Sequence, residues 1–125
     1  MALGGAEVTM EDLVRLYAAL ANDGRLRPLH RLLHESSGAS GVRLLSPEAA
    51  FLTLEMLGQV SRPGMTSADS VHDAPVFWKT GTSHGFRDAW SVAVFDHYVL
   101  AVWVGNFDGR RNPAFVGLNC AGPLF

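Results

Sequence analysis

Residues 89–105 leave little freedom of local structure. Two runs rich in Val, Phe and Trp, Ala89 to Phe95 and Tyr98 to Gly105, are separated only by Asp96-His97. Strand-forming runs joined by two turn-prone residues predict a tight antiparallel hairpin. A third extended run, Val76-Phe77-Trp78, leads into Lys79 just upstream. Earlier still the periodicity becomes helical. From about Met10 to Asn22, Met10, Leu13, Val14, Tyr17, Leu20 and Ala21 make one apolar face. Thr9 stands as N-cap with Asp12 at the answering capping-box position, and Asn22-Asp23-Gly24 supplies the stop. Ser46-Pro47-Glu48 starts a second helix, expected to run to about Leu57 and end near Gly58. Two helices followed by three strands predict an α+β fold, with helices packed on an antiparallel sheet of about three strands.

The remaining segments read as connections. Arg25 to Leu33 is expected to hold a short extended piece after Pro28. Glu35 to Gly41 reads as a Ser/Gly-rich surface loop, Ser61 to Ala74 as a linker or long loop, and Asp108 to Pro113 as a turn. Ala114 to Phe125 is apolar, and an apolar end without a polar cap reads as a truncation, with a docked native terminus as the alternative.

Composition bounds the function. Hydrophobic residues make up 48% of the 125, enough for a packed core. A formal net charge of -2 gives no phosphate footprint, so nucleic acid is excluded as a partner. Of the ten basic residues nine are arginine, and Lys79 is the only lysine. The single cysteine, Cys120, rules out an intramolecular disulfide and reads as a small apolar filler. The opening Met1-Ala-Leu-Gly-Gly lacks a basic leader, and no apolar run is long enough to span a bilayer. Taken literally this describes a soluble cytoplasmic chain; taken as part of a longer protein, it puts any targeting segment elsewhere.

Lys79-Thr80-Gly81-Thr82 falls at the end of the first predicted strand. A structural account is a strand end with a snorkelling lysine and a glycine bulge. A chemical account also exists. A strand beside an acyl-transfer site holds an extended peptide by backbone hydrogen bonds. Gly81 would admit close approach, Thr80 and Thr82 would offer hydroxyls to a carboxylate, and the Thr82 N–H would stabilise an oxyanion. Lys79 would favour anionic substrate and nearby deprotonated groups. Ser83 extends the run, and His84 reads equally as a cleft residue or a solvated loop residue.

Several further segments fall in order around this motif. Ala2 to Thr9, Leu16 to Gly24, Ser46 to Ala50, Lys79 to Ser83, Arg87-Asp88-Ala89-Trp90 and Val102-Trp103-Val104-Gly105 together resemble the C-terminal part of the transpeptidase domain of class A penicillin-binding proteins, and within them the 1C type. The resemblance covers nearly the whole chain and implies a partial β-lactamase/transpeptidase-like fold over residues 1–125. It implies peptidoglycan D,D-transpeptidation through an acyl-serine, with stem peptides and β-lactams as ligands and no cofactor. Lys79, Thr80, Gly81 and Thr82 would form one wall of the site. The parent would be a membrane-anchored periplasmic enzyme that also carries a glycosyltransferase domain.

The family's other two motifs do not occur in these residues. S-x-x-K needs a serine three before a lysine, and Val76 holds that place before Lys79. S-x-N needs a serine two before an asparagine, and Asn22, Asn106, Asn112 and Asn119 follow Leu20, Val104, Arg110 and Gly117. The isolated chain is therefore expected to be inactive, a piece contributing the substrate-holding strand, and prone to self-association. A non-catalytic assembly module and a serine β-lactamase fragment are the alternatives. Gly81-Thr82-Ser83-His84-Gly85 also matches the nucleophile-elbow pattern, which requires a helix after the serine; the following run is β-rich. His30, His34 and Glu35 are too few for a metal site. Arg87 and Asp88 are expected to pair, and Trp78, Trp90 and Trp103 to pack in or beside the sheet.

Overall fold

A computed structural model describes residues 4–32, 40–60 and 75–125. Helix α1 spans Met10–Ala21, and the Thr9 hydroxyl oxygen accepts the Asp12 N–H as the cap expected from sequence. Asp23 and Gly24, at φ 53 and 77, turn the chain out of the helix. The backbone of Gly24 lies so close to Leu45 that a side chain there would overlap the Leu45 carbonyl. Strands β1 (Arg25–Leu26) and β2 (Val42–Arg43) then form a small antiparallel pair. The short extended piece expected after Pro28 is not a strand among the described residues; the pairing strand is Arg25–Leu26, before the proline. The pairing depends on contacts some seventeen residues apart, which no local pattern reveals. Helix α2 spans Pro47–Gly58, with the Ser46 hydroxyl oxygen accepting the Ala49 N–H. Its own backbone N–H and the Ser46 hydroxyl hold the Glu48 carboxyl below the usual carboxylate range.

The main sheet has the order β3-β4-β5, all antiparallel: β3 Val76–Thr82, β4 Asp88–Phe95, β5 Tyr98–Gly105. Asp96, at φ 47, turns the two-residue hairpin between β4 and β5. Side chains alternate across the sheet. Phe77, Lys79, Trp90, Val92 and Trp103 share the face that α1 and α2 cover; Gly58 of α2 sits against the Phe77 ring. Trp78, Thr80, Thr82, Ser91 and Phe95 share the other. There the apolar C-terminal run folds into the single turn α3 (Gly117–Cys120) and a 3-10 turn (Gly122–Leu124). The apolar end is docked: Phe125 stacks on Trp78 and meets Phe95 edge-on.

The core is thin. Its buried members are mostly Ala and Val, and Trp78 is the one large buried side chain among the described residues. By contrast Phe51, Leu52 and Met56 on α2 stand 61%, 58% and 62% exposed. They share that exposed surface with Glu55. Residues 33–39 and 61–74, which hold most of the two long predicted loops, together with His34 and Glu35, lie outside the described residues.

Candidate functional site

Two neighbouring cavities open beside β3. One, of 230 Å³, is lined by Lys79, Thr80, Gly81, Thr82 and Ser83, with Tyr17 of α1 and Trp90 and Val92 of β4 behind them. The other, of 470 Å³, is lined by Ser83, His84, Arg87 and Asp88. Ser83 and Trp90 belong to both walls, so the two make one groove along the strand. The first five predicted site residues thus share one cavity, while His84 sits one chamber further on.

The register decides where the backbone points. The Ser83 N–H donates to the Asp88 carbonyl at 2.9 Å. In an antiparallel ladder the amides alternate, so Gly81 and Lys79 also face β4, and Thr82 and Thr80 face away from it. No described strand pairs with that outer edge. The Thr82 N–H is thereby presented outward, the orientation an oxyanion donor requires. Gly81 leaves its own face open: a Cβ there would meet only the Trp90 Cβ, at 3.7 Å.

Individual side chains are held as follows. Lys79 is exposed, and its Nζ donates to the Thr80 carbonyl at 2.5 Å. The Thr82 Oγ1 accepts the Gly117 N–H at 2.9 Å, which fixes the rotamer and leaves the hydroxyl its own proton to donate. The Ser83 Oγ accepts the Asp88 N–H at 2.9 Å. It enters a turn followed by β4, not a helix, so the nucleophile-elbow geometry is absent. The His84 N–H donates to the Gly4 carbonyl. Burial raises the Tyr17 phenol above its ordinary range and keeps it neutral in the groove.

One expected pair is not made. Asp88 does not turn to Arg87; its Oδ1 accepts the Trp103 Nε1–H at 3.0 Å. Arg87 lies in the loop just before β4, and the Asp88 carboxylate is taken by the indole instead. Trp90 and Trp103 contact each other across the strands, and Trp78 is buried on the opposite side. Cys120 is half-buried and donates its thiol to the Ala114 carbonyl. Among the described residues no three metal-ligating side chains converge.

Two glycines that no sequence pattern marked hold the motif in place. Gly4, at φ 83, passes so close that a Cβ would lie 2.8 Å from the Thr82 carbonyl oxygen. Gly117 fits against the ladder between β3 and β4, where a Cβ would lie 2.2 Å from the Gly81 carbonyl oxygen. Gly117→Ala is therefore expected to push α3 off the strand and to break the bond to Thr82. Overpacking and a lost hydrogen bond together cost about 3 kcal/mol. A urea-unfolding midpoint unchanged by Gly117→Ala would show that α3 does not clamp the strand.

Comparison with known proteins finds relatives over most of the chain. A family model described as penicillin binding protein transpeptidase domain matches residues 1–117. Penicillin-binding protein 1C of Escherichia coli (strain K12) is 36% identical over 127 aligned residues, covering 98% of this chain and 16% of that protein. Penicillin-binding protein 1A of Aquifex aeolicus is 34% identical over 122 aligned residues, covering 90% of this chain and 16% of that protein. The crystal structure of penicillin-binding protein 1A from Haemophilus influenzae superposes with a TM-score of 0.68 at 18% identity, over 91% of this chain and 24% of that one. The fold is shared, and the chain spans about one sixth of the length of these two curated relatives.

Proposed function

The chain belongs to the penicillin-binding protein transpeptidase family, and from that premise we propose that it supplies the K-T-G wall of a peptidoglycan D,D-transpeptidase of class A type. The observation that carries this reading is the conjunction of one cavity lined by Lys79 to Ser83 with an outward-facing Thr82 N–H. An extended stem peptide, or the amide of a β-lactam, would lie along the outer edge of β3 and bond its backbone. The Thr82 N–H would meet the developing oxyanion, and the Thr80 and Thr82 hydroxyls a ligand carboxylate. Lys79 would bring positive charge to the same cavity, and Ser83 and His84 would line the path beyond it. The acyl-accepting serine and its base would come from outside these 125 residues, since neither S-x-x-K nor S-x-N occurs in them. The same reading puts the parent enzyme on the periplasmic face of the inner membrane, with a glycosyltransferase domain of its own. Among the described residues no helix is long and apolar enough to cross a membrane.

A chimera tests the proposal. Substituting these residues for the matching stretch of Escherichia coli penicillin-binding protein 1C is expected to give a protein that takes up fluorescent penicillin covalently. In that chimera Thr82→Pro removes the outward N–H together with the hydroxyl that Gly117 holds, and Thr82→Val, which removes the hydroxyl alone, is the control against which the loss is read. A lost oxyanion donor slows acylation by about 100-fold or more, and Lys79→Ala is expected to slow it comparably. A folded chimera that acylates at the same rate with and without these changes would refute the assigned roles.

A further inference from the structure

Asp88-Ala89-Trp90 and Trp103-Val104-Gly105 lie behind the K-T-G wall, and the roles given to Lys79 to Ser83 make no use of them. Their contacts converge on Thr82. Gly81 and Trp90 are a bonded pair, so the Trp90 N–H fixes the Gly81 carbonyl, and that peptide group carries the Thr82 N–H. On the other side the Ser83 N–H donates to the Asp88 carbonyl at 2.9 Å. The Ser83 carbonyl accepts the Phe86 N–H in the turn. The Ser83 hydroxyl oxygen takes its ladder place and accepts the Asp88 N–H at 2.9 Å. Trp90 and Asp88 thus set the two peptide groups that flank Thr82.

One side chain of the next strand grips both of these residues. Trp103 lies opposite Trp90, and their ring centroids are 6.3 Å apart. Its Nε1–H reaches along the sheet to the Asp88 carboxylate at 3.0 Å. The residue opposite Asp88 is Gly105, and its missing side chain makes room for the indole. A Cβ there would lie 2.6 Å from the Trp103 Cζ2 and 3.0 Å from the Arg87 carbonyl oxygen. We infer, resting on the reading of Thr82 as an oxyanion donor, that Trp103 is a positioning residue for acyl transfer. It holds Trp90 by its ring and Asp88 by its indole N–H, and through their backbones it aims the Thr82 N–H. An oxyanion donor is effective when it is aimed before the reaction begins, and a small misplacement costs rate more than binding. The Asp88 carboxylate serves here as a hydrogen-bond acceptor, so its charge is not what the site requires.

The test uses the chimera with Escherichia coli penicillin-binding protein 1C, in which acylation by fluorescent penicillin is resolved into a half-saturating concentration and a rate at saturation. Trp103→Phe keeps a ring against Trp90 and loses the indole N–H. It is expected to lower the saturating rate about tenfold and to leave the half-saturating concentration within about twofold. Asp88→Ala is expected to do the same, and the double variant no more than either alone, because both remove one shared contact. Asp88→Asn keeps an acceptor oxygen and is expected to restore the rate. Gly105→Ala, which displaces the indole, is expected to match Trp103→Phe. In the 125-residue chain itself, Asp88→Ala is expected to speed hydrogen exchange of the Trp103 indole proton by about tenfold. An exchange rate that does not change overturns the inference without recourse to the chimera. A saturating rate unmoved by Trp103→Phe, where Thr82→Pro is slower than Thr82→Val, overturns the inference alone. So does an Asp88→Asn variant as slow as Asp88→Ala, which would make the Asp88 charge itself the requirement. A folded chimera that takes up no penicillin, or in which Thr82→Pro matches Thr82→Val, overturns the oxyanion reading and the role of Trp103 with it.

Discussion

Fluorescent penicillin mixed with the isolated chain is expected to leave no label that survives denaturing electrophoresis. Acylation needs a hydroxyl whose proton is taken by a placed base. The chain has one lysine, and Lys79 is preceded at the required distance by Val76. The serine nearest the motif is Ser83, whose oxygen accepts the Asp88 N–H. No S-x-x-K base is available to it within these residues, and the helix of a nucleophile elbow is absent. Binding surface without a nucleophile supports at most reversible occupancy of the groove. Stoichiometric labelling would overturn this account. Loss of that label in Ser83→Ala would identify Ser83 as an unforeseen nucleophile.

Trp78→Ala is expected to remove about 3–5 kcal/mol of stability, the usual cost of deleting a large buried aromatic side chain. Trp78 is 1% exposed, stacks on Phe125 and donates its Nε1–H to the Val60 carbonyl at 2.8 Å. It thus ties together β3, the segment after α2 and the chain's last residue. The rest of the buried set is small side chains, so nothing else refills the space. Total stabilities of small domains are only about 5–15 kcal/mol. Urea titration followed by far-ultraviolet circular dichroism is expected to show little or no folded baseline for Trp78→Ala. Trp78→Phe, which keeps a ring and loses the hydrogen bond, is expected to retain a cooperative transition with a lower midpoint. A Trp78→Ala variant within about 1 kcal/mol of the unaltered chain would show that the C-terminal run is not part of the core.

The α+β class, both helices with their caps, and the three-stranded sheet were legible because each rests on local chemistry. Thr9 and Ser46 cap from within one turn, and Asp96-His97 sets its hairpin by length alone. The K-T-G motif was legible in the same way, as a short string in a strand with its neighbours in order. The β1–β2 pair was not legible, since its partners are distant in sequence. Neither was the role of Gly117, thirty-five residues from Thr82. The expected Arg87–Asp88 pair is not made because the indole of Trp103 reaches Asp88 from the next strand, a partner fifteen residues away that no local pattern reveals.

The sequence by itself thus determined which motifs these residues hold: one lysine, in K-T-G, and no serine three places before it. Only the tertiary structure decided how that motif is presented. Pairing with β4 turns the Thr82 amide outward, Gly117 fixes the Thr82 hydroxyl from behind, and α1 closes the cavity with Tyr17. Those outcomes depend on strand register and on close backbone approach between segments far apart in the chain. Local propensity carries no record of either.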